Sequence, residues 1–134
     1  MAKNKEEYRF ENEMFMVARA DMDGVKSLEG GVLYEVLTEG TGQGTVNPRS
    51  VVTCHYRGSL IDGSVFDDSW ERGCPEAFRV NDLITGFTTA LCHMHKGDHW
   101  MVYIPWQQGY GKRSIPGIPG CSTLVFEIEL IGIS

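Results

Sequence analysis

The sequence predicts an antiparallel α+β domain, on three observations. Strand-like segments with period-two alternation recur from Gly31 to the C-terminus, only one helical window interrupts them, and an amphipathic segment precedes them all. With 134 residues the chain fits one domain, since domains centre on roughly 100–150 residues.

Residues 4–20 are expected to form the first helix, with Tyr8, Met14, Phe15 and Ala18 at near-helical spacing among Lys, Glu and Arg. Asp21–Gly24 and Gly30-Gly31 punctuate its end. Val32–Leu37 is β-branched and aromatic and reads as the first strand. Val51–Arg57 alternates, with Val52, Cys54 and Tyr56 on one face and Thr53, His55 and Arg57 on the other. Asp62-Gly63 turns the chain into a short strand over Ser64–Phe66, and Ala77–Val80 supplies another. Ile84, Phe87, Leu91 and Met94 recur at three- and four-residue steps, which predicts a helix over 84–94. Trp100–Pro105 is a strand closed by proline, residues 109–120 form a Gly/Pro-rich loop, and Thr123–Leu130 alternates as the last strand.

A net charge of -6 argues against a nucleic-acid surface, which needs clustered Lys and Arg. No run approaches the ~18 apolar residues of a membrane span. Met1–Glu7 shows no apolar signal core, so the chain as written is expected in the cytoplasm, or in the periplasm or exported if an upstream signal was removed. Cys54, Cys74, Cys92 and Cys121 form no Cys-x-x-Cys pair and read as reduced structural residues.

Several motifs carry no chemistry. Gly40-x-Gly42-x-Gly44 is followed by Asn47-Pro48 and a β-branched run instead of the helix that a phosphate loop requires. His93, His95 and His99 sit at a helix–strand junction with side chains directed differently, and no metal site is expected there. Asp67 and Asp68 are neighbours on a strand and face opposite ways, so they form no shared-proton dyad.

What remains is a set of aromatic and aliphatic residues spread over several strands with one carboxylate among them. His55-Tyr56-Arg57-Gly58-Ser59-Leu60-Ile61-Asp62-Gly63-Ser64-Val65-Phe66-Asp67 resembles the signature HYTGxLxDGxxFD of the FKBP-type peptidyl-prolyl isomerases, departing mainly at Arg57. Leu83-Ile84-Thr85-Gly86-Phe87 is similar to that family's V-I-x-G-W, Tyr110-Gly111 to its YG, and Thr123–Leu130 to its closing strand TLVFxVEL. The order and spacing agree from Gly31 to Leu130.

The resemblance implies a sheet of five to six antiparallel strands wrapped over one short helix, an isomerase domain over 31–134, and an N-terminal helical extension over 1–30. It implies a pocket between that helix and the sheet, lined by Tyr56, Phe66, Asp67, Leu83, Ile84, Phe87, Tyr110, Ile118 and Phe126. Arg72 aligns with the arginine that the family pairs with its pocket tyrosine and aspartate. Phe87 replaces the family's floor tryptophan, Glu76-Ala77 replaces an aromatic, which leaves Phe78 as a strand core residue, and Lys112–Pro116 replaces one wall loop. The region before Gly31 resembles the segment ahead of the catalytic domain in larger bacterial relatives, without their dimerisation domain, so a monomer is expected.

Rotation about X-Pro crosses about 18–20 kcal/mol, and a thousandfold acceleration needs only about 4 kcal/mol. No nucleophile, metal or cofactor is required. Tyr56, Phe66, Phe87 and Phe126 are expected to grip the proline ring, the Ile84 N–H and the Tyr110 hydroxyl to hold substrate carbonyls, and Asp67 to orient Tyr56 and Arg72. The expected partners are proline-containing polypeptides and the macrolide ligands of the family. The alternative is a chaperone module that binds proline segments on the same surface without turnover.

Overall fold

The computed structural model describes residues 4–134. Met1, Ala2 and Lys3, which open the expected N-terminal extension, lie outside the described residues.

Helix α1 spans Lys5–Ala20, and Asn4 caps it by accepting from the Glu7 N–H at 2.8 Å. The expected apolar stripe is only half right. Tyr8 and Phe15 face the domain, whereas Met14 is 48% exposed and Ala18 is also outside. The helix is rotated because Asn12, fully buried, seats it on residues 122–123.

Seven strands follow: β1 Val25–Ser27, β2 Leu33–Thr38, β3 Val51–Ser59, β4 Val65–Asp68, β5 Glu76–Arg79, β6 His99–Ile104 and β7 Leu124–Ile133. All pairs are antiparallel, in the order β1-β2-β6-β7-β3-β4. β5 shares the outer edge of β3 with β4: Val51–Cys54 pair with β5, and Arg57–Ser59 with β4. The sheet is therefore six strands wide, and β1 is the strand that the sequence did not signal. Its three residues are too few to show a period, and pairing with β2 is what makes them extended.

Two α-helices lie within the strand region. α3, Thr85–Leu91, fills the sheet's concave side through Phe87, Ala90 and Leu91. It approaches β6 so closely that a Cβ on Gly86 would stand 2.4 Å from Ile104 Cγ2. α2, Ser69–Arg72, is a single turn that the strand reading passed over. Asp68 caps it by accepting from the Trp70 and Glu71 N–H groups, and Gly73 ends it in the left-handed conformation.

The buried face of β3 is Val52, Cys54 and Tyr56, as its alternation predicts. These residues join Val102 and Ile104 of β6, Leu124, Phe126, Ile128 and Leu130 of β7, and the inner face of α3 in one core. Among the described residues no helix is long and apolar enough to cross a membrane.

Candidate active site

β3 directs Tyr56 inward, the neighbouring strand β7 directs Phe126 inward opposite Gly58, two residues along from Tyr56, and α3 brings Phe87 up beneath them. The centroids of Phe87 and Phe126 are 5.0 Å apart, edge to face. Tyr56 lies 6.1 Å from Phe87 and 6.3 Å from Phe126, while Phe66 of β4 stands edge-on to Phe126 at 5.7 Å. Such tilted and edge-on contacts suit the ring quadrupoles. Glycine at position 58 is a condition of this packing. A Cβ there would lie 2.6 Å from Phe66 and 2.7 Å from Phe126.

Phe78 belongs to the same cluster, 5.5 Å from Tyr56 and 6.3 Å from Phe87. From the sequence it is expected only as a strand core residue. The alternation of β5 does place Phe78 inward, and its pairing with Val52 beside Tyr56 on β3 puts it next to the site. Tyr56, Phe87 and Phe126 are buried, each at most 7% exposed. Phe66, Phe78, Leu83 and Ile84 are half-buried around them. These residues form the outer rim of the cluster, and the inner rings reach the surface only at their edges.

One polar chain borders the rings. The Tyr56 hydroxyl donates to Asp67 Oδ2 at 2.5 Å, and Arg72 pairs with the other carboxylate oxygen, Oδ1. A second Arg72 nitrogen donates to the Tyr56 oxygen at 3.3 Å and to Glu76 at 3.2 Å. Burial, with the Asp67 bond second, pushes the Tyr56 hydroxyl up to about 12, so it stays protonated at neutral pH. The Asp67 bond, followed by that to Tyr56, holds the Arg72 guanidinium more firmly charged. Glu76 was read from the sequence only as a lost aromatic, and it is the outer anchor of this arginine. Asp68 turns away from the site to cap α2 and bind Arg57 at 3.0 Å. Val65, Phe66, Asp67, Asp68, Glu71 and Arg72 line an open, mostly charged groove of ≈ 380 Å³ beside Phe66.

Tyr56, Phe66, Asp67, Arg72, Phe87 and Phe126 are thus brought into contact, and Leu83 and Ile84 pack against the same core. Among the described residues the Ile84 backbone N–H has no partner, although the Ile84 carbonyl accepts from Phe87 and Thr88. Ile118 is 4% exposed and lies within the core. Tyr110 is 41% exposed on the loop after β6, and its hydroxyl bonds to no group among the described residues.

The three histidines of the 93–99 region each face a carboxylate. His93 meets Glu29 and His99 meets Glu127, both at 2.7 Å, and His95 lies 3.8 Å from Asp98. Among the described residues no group of three potential ligands is placed to hold a metal ion. Gly40 opens a plain loop, tied down where its N–H donates to buried Asp98 at 2.7 Å. All four cysteines are free thiols, and burial pushes that of Cys54 up to about 12.

The chain is similar to known proteins in both sequence and fold. Peptidyl-prolyl cis-trans isomerase Mip of Coxiella burnetii is 40% identical over 121 residues, which cover 89% of this chain and 52% of Mip. FkpA of Escherichia coli, an FKBP-type peptidyl-prolyl cis-trans isomerase, is 42% identical over 110 residues, covering 82% of this chain and 40% of its own. The chain spans about half the length of the curated relatives it matches. The crystal structure of E. coli FkpA matches with a TM-score of 0.90 at 36% identity, covering 96% of this chain and 60% of that one. A peptidyl-prolyl cis-trans isomerase from Pseudomonas syringae, also at TM-score 0.90 and 36% identity, matches over 100% of this chain and 98% of its own. The family model for FKBP-type peptidyl-prolyl cis-trans isomerases covers residues 42–131, from the loop before β3 to the last strand. With its ring cluster and its Tyr–Asp–Arg chain inside that span, this protein belongs to the FKBP-type peptidyl-prolyl cis-trans isomerase family.

Proposed function

We propose that this chain catalyses cis–trans rotation about X-Pro bonds in polypeptides at the surface formed by Tyr56, Phe66, Phe78, Leu83, Ile84, Phe87 and Phe126. One observation carries the reading. Tyr56, Asp67 and Arg72 beside the rings satisfy one another, so the ring surface that receives the imide is apolar and solvates weakly.

A planar X-Pro imide is charge-separated, because its nitrogen lone pair is delocalised toward oxygen. Twisting localises that pair on nitrogen and reduces the separation. Surroundings that solvate weakly disfavour the planar form relative to the twisted one, which is differential binding of the transition state. The proline ring presses on Phe66 and the edges of Phe87 and Phe126, displacing water from the bond. Asp67 has both oxygens engaged, by Tyr56 and by Arg72, and so acts as an orienting group. Tyr56 both accepts from Arg72 and donates to Asp67, which fixes its ring against Phe78 and Phe87.

The Ile84 N–H at the start of α3 and the Tyr110 hydroxyl on the loop after β6 are left open by the fold, and they hold the substrate carbonyls on one side of the bond while the other side turns. The Ile118 side chain backs the loop from within the core. Macrolide ligands of the family compete for the same rings. The active species is a single chain, a reading supported by α1 folding back onto its own sheet and loop.

Protease-free isomerisation of an Xaa-Pro peptide, with and without a macrolide, tests this reading. Acceleration that the macrolide suppresses is the expected result. Peptide binding without acceleration would make the protein a binding module, and acceleration untouched by a bound macrolide would move the reaction away from these rings.

A further inference from the structure

α1 meets the domain through an unusual surface. Its inward side carries polar groups, while Phe10, Met14 and Val17 on the opposite side are 52%, 48% and 58% exposed. The centre of the inward side is Asn12, whose side chain is completely buried with every polar atom engaged. Asn12 Nδ2 donates to the Tyr8 carbonyl at 2.8 Å, and Oδ1 accepts from the Thr123 N–H at 2.8 Å. Thr123 Oγ1 donates in return to the Asn12 carbonyl at 3.0 Å. One turn earlier, the Tyr8 hydroxyl bonds Ser122 Oγ at 2.6 Å, and Ser122 donates onward to the Pro119 carbonyl.

These contacts grip one end of the loop that follows β6. The other end is gripped by the same helix. Trp106 Nε1 donates to Glu13 Oε2 at 3.0 Å, and the Arg9 guanidinium lies over the Trp106 ring at 5.3 Å. Between the two grips the loop is knitted to itself. Gly111 N–H donates to Trp106, Cys121 N–H to Gly111, Gly120 N–H to Ser114 Oγ, and Ile115 and Ile118 form a reciprocal bridge. These bonds tie the loop into one connected unit. Its Tyr110 is 41% exposed and makes no hydrogen bond of its own, so nothing local fixes that hydroxyl.

We infer that Asn12, seconded by Tyr8, is a positioning residue for the isomerase site: through Thr123 and Ser122 it sets where the 106–123 loop, whose Ile118 packs into the same core as the rings, presents Tyr110. This rests on the isomerase reading above and adds to it a control exerted from α1, outside the segment that carries the family's motifs. Small misplacements of positioning groups are enough to matter, since about 1 Å costs about a hundredfold in rate in well-oriented sites.

The test is a double-mutant cycle on kcat/KM for an Xaa-Pro peptide, using Asn12→Ala, Tyr110→Phe and the pair. Asn12→Ala is expected to lower kcat/KM about tenfold in the otherwise unchanged chain, and less than about twofold once the Tyr110 hydroxyl is gone. If Asn12→Ala fails to fold, Thr123→Val carries the same cycle. That variant keeps the side chain's shape but removes its hydroxyl, and Thr123→Ser, which restores it, is expected to regain activity. Equal losses in both Tyr110 backgrounds would show a merely structural role and overturn the inference, as would full activity in a folded Asn12→Ala. An inactive unmodified chain would instead sink the isomerase reading. In that event faster amide exchange at Cys121 and Thr123 in Asn12→Ala supports the brace, and unchanged exchange overturns it.

Discussion

Tyr56, Phe87 and Phe126 are fixed by two strands and a helix that share one apolar core, whereas Tyr110 rides on a loop held at its two ends by polar side chains of α1. The ring cluster, the proposed floor of the site, is thus placed by close packing, and the loop, its proposed wall, by hydrogen bonds. Packing is dense and intolerant of added volume. A buried hydrogen bond contributes modestly when made, but costs about 1–3 kcal/mol when one partner is left alone in the interior. Two kinds of damage should therefore look different: overfilling disturbs the floor, and removing a partner loosens the wall.

The largest expected effect is on the floor. Replacing Tyr56 and Phe66 together with Leu keeps apolar bulk but removes the ring faces and the bond to Asp67. It should slow isomerisation about a hundredfold while circular dichroism stays native-like. Gly58→Ala sharpens the same point without altering any ring. Its methyl group would have to displace Phe66 and Phe126, so thermal or chemical unfolding should show a loss of about 1–3 kcal/mol.

The wall should lose a comparable amount of stability, but through an orphaned partner instead of overfilling. Asn12→Ala leaves the buried Thr123 N–H without an acceptor, a cost of about 1–3 kcal/mol in denaturant unfolding, together with faster amide exchange confined to the loop and α1.

How far these regions can be read from the sequence follows the same division. The alternation of β3 and β7 and the three- and four-residue steps of α3 are local signals, and they place Tyr56, Phe126 and Phe87 on the right faces. Phe78 was legible as an inward residue of β5, but not as a neighbour of Tyr56, because that adjacency comes from strand pairing. α2 had its signals, Asp68 ahead of it and Gly73 behind, yet a four-residue turn is too short to show helical periodicity. Asn12 reads in isolation as a solvated helix position. Its partner lies 111 residues away, and no local pattern can announce that bond. The same distance explains why the stripe expected on α1 was rotated.

Titration separates the two regions at opposite ends of the pH scale. On the floor, Tyr56 is held up at about 12 in the folded chain against about 10 in an unfolded one. Its raised value makes the stabilising contribution complete below about pH 10 and lost as pH rises toward about 12. Alkaline unfolding should therefore steepen in that window, and Tyr56→Phe should flatten it. On the wall, the Trp106 indole bond holds the Glu13 carboxyl below its usual range. That contribution is present at neutral pH and fades as pH falls through the lowered value. Because Glu13 is exposed, this is the smallest effect, to be read as an acid-side change in Trp106 fluorescence that Glu13→Gln abolishes.

The claim on which the account depends is that weakly solvating rings, with their polar neighbours mutually satisfied, lower the barrier to imide rotation. Exchange NMR on an Xaa-Pro peptide, comparing the unmodified chain with Tyr56→Leu/Phe66→Leu, measures this directly. The account predicts catalysed cis–trans exchange with the first protein and near-spontaneous exchange with the second. Equal catalysis by both folded proteins would contradict it.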